Sequence, residues 1–195
     1  MRRIVLLCCL SASAVAAPAF ADPASDVRQS FDTLLAAGGF RGVVSGRVFG
    51  PESPAMTGEI DVLFPDRIHA RTDEIEFISL PSGAWISALG LWTPVDRSLL
   101  PVTRFDIAEM RRAMGSIRDV RLQGKSKAAQ CTAQVFRFHA SGQLPGANAD
   151  GDMRMWVCDA NHHPARLEAT DSKSGERVVV DFDWSRRPQI EAPSR

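Results

Sequence analysis

"GDMRMWVCDA", Gly151 to Ala160, is the stretch on which the reading of the fold turns. Met153, Met155 and Val157 alternate with Asp152, Arg154, Trp156 and Cys158, so an extended strand here carries one apolar face and one mixed polar face. Upstream, "CTAQVFRFHA", Cys131 to Ala140, alternates in the same way, and the intervening "SGQLPGANADG" is dense in turn formers. A hairpin symmetric about Leu144 and Pro145 sets Arg137 opposite Asp152, Val135 opposite Arg154, Ala133 opposite Trp156 and Cys131 opposite Cys158. Phe136, Phe138, Met153, Met155 and Val157 then share one face, with the cysteines, Trp156 and the Arg137/Asp152 pair on the other. Directly opposed Cα atoms in an antiparallel pair lie about 4.5 to 5.5 Å apart, within disulfide reach. The register therefore predicts a Cys131–Cys158 disulfide.

The surrounding sequence extends that sheet. "FRGVVSGRVFG", "MTGEIDVLF", "RIHARTD", "EFISL" and "AWISALGLW" precede it, and "IRDVRLQG", "ARLEATDS" and "ERVVVDFDWS" flank it, all short, β-rich and punctuated by Pro and Gly. Ile60 and Val62, and likewise Ile68 and Ala70, alternate with charged residues, which implies an antiparallel sheet buried on a single face. Two helices are expected. The first is capped by Asp22 or Ser25, carries Val27, Phe31, Leu34 and Leu35 on one stripe, and stops at Gly38-Gly39. The second has Asp106 at its N-cap with Glu109 three residues on, an Ile107/Met110/Met114 stripe, and Gly115 at its end. Roughly ten strands curl or partly close. The fold class is mainly β, a curved antiparallel sheet forming an incomplete barrel covered by a small helical lid.

The N-terminus, "MRRIVLLCCLSASAVAAPAFADP", has two arginines, a short apolar run and Ala19-Phe20-Ala21 before Asp22. That is the order of a cleaved secretory signal peptide, so residues 1–21 are expected to be removed and 22–195 to form one domain in the periplasm. With 23 Lys and Arg against 23 Asp and Glu, the chain presents no basic field for nucleic acid.

The order of these motifs resembles the periplasmic outer-membrane lipoprotein carriers, the LolA-LolB superfamily. The matching positions are Gly46, Gly58, Pro65, Arg67, Gly83, Trp85, Trp156, Val157, Asp159, Pro164, Gly175, Phe182 and Pro188, spread over nearly all of 22–195. The resemblance implies an apolar cavity that holds a lipid, an acyl chain or a lipidated protein, with a membrane-bound donor or acceptor as a further partner. The lipobox of the related receptor is missing, so the expectation is the broader one: a carrier or binder of an amphiphile. The apolar faces nominate Val44, Val48, Ile60, Val62, Ile68, Met110, Met114, Phe136, Met153 and Met155 as cavity lining. Methionine suits such a site because its unbranched thioether adapts to variable apolar shapes.

No catalytic motif stands out: there is no G-x-S-x-G, H-E-x-x-H or C-x-x-C, and no metal or other cofactor is called for. His162-His163 reads as a pair of solvated loop histidines, and Asp181 and Asp183 as a solvent face. A sensing or protein-interaction module of the same fold is the alternative to a carrier. It predicts a filled interior and an exposed patch around Trp85, Leu91 and Trp92.

Overall fold

The computed structural model describes residues 22–47, 55–73, 75–100, 102–144 and 147–193; the side chains of 56, 143, 144 and 147–149 are not described. The expected signal peptide and Val48 lie outside these residues. Asp22 caps helix α1 (Pro23–Ala36) by accepting a hydrogen bond from the Ala24 amide at 3.1 Å, with Pro23 in the first turn, where its missing N–H costs nothing. The chain turns through Gly38, at φ 74°, into eleven strands. These are β1 (Gly39–Gly46), β2 (Met56–Leu63), β3 (Arg67–Thr72), β4 (Glu76–Leu80), β5 (Gly83–Ala88) and β6 (Leu91–Val95), then β7 (Arg118–Ala128), β8 (Cys131–Leu144), β9 (Ala147–Cys158), β10 (Pro164–Asp171) and β11 (Arg177–Asp183). Helix α2 (Ile107–Gly115) lies between β6 and β7.

All neighbours are antiparallel, in the order β6-β5-β4-β3-β2-β1-β11-β10-β9-β8-β7. Two meanders thus meet where β1 pairs with β11, and the sheet curves without closing, leaving β6 and β7 as its edges. Close strand approaches fall at glycines. A Cβ on Gly58 would sit 2.0 Å from the Arg71 carbonyl oxygen, and one on Gly151 would sit 2.1 Å from that of Thr170.

Every second residue faces inward. Phe40, Val44, Ile60, Val62, Ile68, Phe77, Phe136, Phe138, Met155, Leu167, Val180 and Phe182 form one buried cluster with the apolar stripes of both helices. Phe31 of α1 meets Phe138 edge to face, with ring centroids 6.3 Å apart.

Three sequence expectations need correction. "AWISALGLW" is not one strand but the β5–β6 hairpin, turning at Leu89 and Gly90. Leu89 adopts φ 54°, a conformation usually left to Gly or Asn, so no turn signal marked the spot. The β8–β9 register is two residues from the expected one: Leu144 pairs with Ala147, which puts His139 opposite Asp152, Arg137 opposite Arg154, Val135 opposite Trp156 and Ala133 opposite Cys158. An even shift keeps every side chain on its predicted face. The disulfide still forms, at a Cα–Cα distance of 5.7 Å, because β9 ends at Cys158 and the Asp159 amide donates to the Thr132 carbonyl, drawing Cys158 toward Cys131. Finally, "RRPQIEAPSR", Arg186 to Arg195, reads from its sequence as a frayed tail, but its described residues include one that packs on the sheet. Ile190, 3% exposed, packs on Ile78 and Leu80 with Trp85 and Trp92 alongside, so this end of the convex face is covered.

Candidate functional site

The nominated apolar residues come from six elements, and the fold brings the described ones together. Val44 (β1), Ile60 and Val62 (β2), Ile68 (β3), Phe136 (β8), Met153 and Met155 (β9), and Met110 and Met114 (α2) all belong to the cluster between the concave face and the helices. They are packed, not lining open space. Val62, Ile68, Met110 and Met155 expose 0% of their surface, and a side chain with no accessible area borders neither solvent nor a void wide enough for water. The interior is filled at these positions by the protein's own side chains.

Helix α2 is the smaller part of the cover. Asp106 accepts from the amides of Ala108 and Glu109 at 2.9 and 3.0 Å, and these bonds hold its carboxyl below the usual range, the Glu109 amide contributing most. At the other end Ser116 Oγ donates to the Ser141 carbonyl at 3.1 Å and accepts from the Ser141 amide at 2.9 Å. The Phe105 amide donates to the Pro65 carbonyl at 2.7 Å, and Arg28 of α1 reaches the Ile117 carbonyl at 3.4 Å. Between these points the helix is held by Met110, Ala113 and Met114, which are buried against the sheet.

No family model and no curated protein sequence matches the chain. Solved structures do. The lipoprotein LppX of Mycobacterium tuberculosis superposes with a TM-score of 0.59 at 12% identity, over 87% of this chain and 98% of its own. LprF of Mycobacterium bovis gives 0.58 at 11%, over 88% and 97%. The chain shares the fold of LppX. A LolA superfamily protein, NE2245 from Nitrosomonas europaea, aligns over 86% of this chain at 12% identity, but its TM-score of 0.33 is too loose to carry an argument. The expected carrier-like architecture, an open antiparallel half-barrel with two helices, is thus met at the level of fold.

The LppX-like sheet turns a very different surface to the outside. Arg41 pairs with Asp61 at 2.6 Å, His69 and Arg71 both reach Glu76, Arg137 pairs with Asp152 at 2.7 Å, and Glu168 takes Arg166 and Arg177 at 2.9 and 2.8 Å. Trp156 lies between the guanidiniums of Arg154 and Arg166, 5.8 and 5.6 Å from its ring. Asp181 faces Arg166 at 3.2 Å, and Asp183 accepts from Gln130 and the Ser185 amide.

The loop histidines differ from each other. His163 is half-buried: its ring packs edge-on against Trp184 at 4.3 Å, its Nδ1 is buried without a partner, and burial pushes its pKa down. Among the described residues no group of three or more His, Cys, Asp or Glu is placed to hold a metal ion, and no helix is long and apolar enough to cross a membrane.

Sequence reasoning missed two surface features. Leu89 is 102% exposed and Leu91 75% exposed at the tip of the β5–β6 hairpin, whereas Trp85 and Trp92 are half-buried against the second cluster. Leu91 was nominated; Leu89 was hidden inside a misread strand. The second feature is the meeting of Arg137 and Arg154, which depends on a register that alternation alone does not fix.

Proposed function

We propose that this protein is a periplasmic carrier or binder of an amphiphile, a lipid, acyl chain or lipidated protein, taken up on the concave face beneath α1 and α2. The observation that carries the proposal is a half-barrel with a predominantly apolar concave face, whose cover includes a nine-residue helix anchored by a handful of polar contacts. The fold shared with LppX, described as a lipoprotein, is in keeping with an extracytoplasmic setting. The reading is non-enzymatic.

Because the nominated positions are packed by the protein's own side chains, uptake on this reading requires α2 to move and ligand to replace methionine side chains. An acyl chain gains about 0.8 kcal/mol for each CH₂ it buries, so a long chain can offset the loss of the Met110 and Met114 contacts. The test is native mass spectrometry of protein isolated from its own host, with solvent extraction of what is released and uptake assays with a fluorescent fatty acid. A stoichiometric amphiphile adduct, and acyl uptake that accelerates when the Asp106 cap is removed, are expected. A bare mass with no uptake of any acyl probe would sink the proposal.

That result would favour the second reading, a protein-interaction module. Leu89 and Leu91 project exposed from the edge hairpin, uncovered by any of the described residues, and Leu89 does so in a backbone conformation that bulky residues disfavour.

A further inference from the structure

The convex face carries a second feature, separated from the apolar interior by the thickness of the sheet. A cleft of about 690 Å³ lies over β8 to β11, bordered among others by Arg137, Arg154, Arg177, Glu168, Thr170 and Asp152. Arg137 and Arg154 stand directly opposite each other across β8 and β9. Like charges in that position repel, and nothing in the sheet requires them. Arg137 is bound by Asp152 at 2.7 Å, and Arg177 by Glu168 at 2.8 Å. Glu168 is also taken by Arg166 at 2.9 Å, so both carboxylates bordering the cleft are already neutralised.

Arg154 is the exception. It stands opposite Glu168 across β9 and β10, but among the described residues it forms no ion pair within 4 Å; its guanidinium lies over the Trp156 ring at 5.8 Å instead. An exposed arginine is ordinarily satisfied by water and needs no explanation. Here it is set against a second arginine, backed by an aromatic ring, at the wall of a cleft with one positive charge in excess over its two carboxylates. Asp152 offsets the repulsion at Arg137 and Glu168 stands opposite Arg154 on β10, but Glu168 is already shared by Arg166 and Arg177, which leaves the Arg154 fork open toward the cleft.

We propose that this cleft binds a phosphate group, carried either by a small soluble phosphate or by a phospholipid headgroup. Two opposed guanidinium forks and the Thr170 hydroxyl offer donors in more than one plane. A tetrahedral phosphate, with two terminal oxygens in a diester and three in a monoester, uses such a set more fully than a planar carboxylate, which one fork saturates. The phosphate also screens Arg137 from Arg154, turning an unfavourable cross-strand pair into a favourable triad.

The test is calorimetric titration in phosphate-free buffer with inorganic phosphate and with glycerol 3-phosphate. Parallel flotation uses phosphatidylcholine vesicles with and without phosphatidylglycerol. Saturable binding is expected, weakened about tenfold or more by Arg154→Gln and several-fold by Arg154→Lys, which keeps the charge and loses the fork. Arg154→Gln is expected to melt near the wild-type temperature, since it relieves the repulsion from Arg137 and gives up the attraction of Glu168 opposite; should it fail to fold, Arg154→Lys carries the comparison. Arg154-dependent binding of the soluble phosphates assigns the site to a free ester. The same dependence seen only with phosphatidylglycerol vesicles assigns it to a lipid headgroup. No saturable binding in either arm, or equal binding by wild type and the folded variants, overturns the proposal. Acyl-chain uptake is not part of the readout, so this result stands apart from the fate of the concave-face proposal.

Discussion

The two faces of the sheet are built from the same strands, one residue apart, and differ in almost everything else. On β8, Phe136 is 1% exposed in the main core, while its neighbour Arg137 has a side chain 56% exposed and paired with Asp152. The concave face is continuous, shared among most of the strands and both helices, and tolerates no local loss. The convex face is a mosaic of ion pairs, several of which share a carboxylate. Stability resides in the first and adaptable recognition is available on the second. A ligand for the interior has to displace packed side chains, whereas a ligand for the outer cleft displaces only water.

Adjacent substitutions give the sharpest contrast. Phe136→Ala removes a ring from a filled core and is expected to cost about 3–5 kcal/mol in urea unfolding. Arg137→Ala breaks a solvent-exposed pair and is expected to cost no more than about 1 kcal/mol. Comparable losses from the two would mean that the convex network is a structural element in its own right, and the division of labour would fail.

Next in size is the disulfide, which belongs to neither face's packing. Cys131 and Cys158 are 27 residues apart, and closing such a loop stabilises by about 3.5 kcal/mol in the chain-entropy model. Cys131→Ser is expected to lower stability by a value near that, and reductant should do the same to the wild type but nothing to the variant. A variant as stable as the oxidised wild type would show that the β8–β9 hairpin holds its ends together without the bridge.

That hairpin also shows how far the sequence could be read. Strand alternation has a period of two, so it identifies faces but leaves register undetermined to any even shift; Met153, Met155 and Phe136 therefore fell on the inner face although the proposed pairing was two residues out. What depends on register was illegible, and the Arg137–Arg154 juxtaposition is the chief example. The helices were readable from their caps, since Asp22 and Asp106 act through residues two or three positions away. The burial of Ile190 was not, because it depends on a convex-face cluster formed by strands more than a hundred residues upstream. Nor does alternation say whether an apolar interior is open or filled; that is decided by how side-chain volumes from β1 to β11 meet those of α1 and α2.

A smaller effect separates a lid from an ordinary core helix. Asp106→Ala removes the side-chain bonds to the Ala108 and Glu109 amides and is expected to lower the melting temperature by only a few degrees. Hydrogen exchange should accelerate selectively in α2, with β2 and β9 unchanged. On the carrier reading, acyl uptake quickens as well. Exchange that quickens equally in α2 and in the strands would mean that the helix opens only with the whole domain.

The smallest effect lies in pH dependence, and the two faces contribute to it differently. On the convex face, the Arg137 guanidinium holds the Asp152 carboxyl below its usual range. Burial raises the Glu76 carboxyl, but the bonds from Arg71 and His69 outweigh it and hold that group low too. A depressed carboxyl contributes stability that is present above its unfolded pKa, near 4, and is lost as pH falls through the folded value. His163 acts in a higher window. Its pKa is lowered by burial against Trp184, so below about pH 6.5 the unfolded chain takes up a proton that the folded chain refuses, and stability falls with falling pH. Thermal melting from pH 8 to 3 is therefore expected to show a shallow decline beginning near 6.5 and a steeper one below about 4. His163→Phe keeps a ring against Trp184 and removes the titration, so it should flatten the upper decline and leave the lower one in place. A variant whose upper decline persists would show that burial of His163 against Trp184 is not its source.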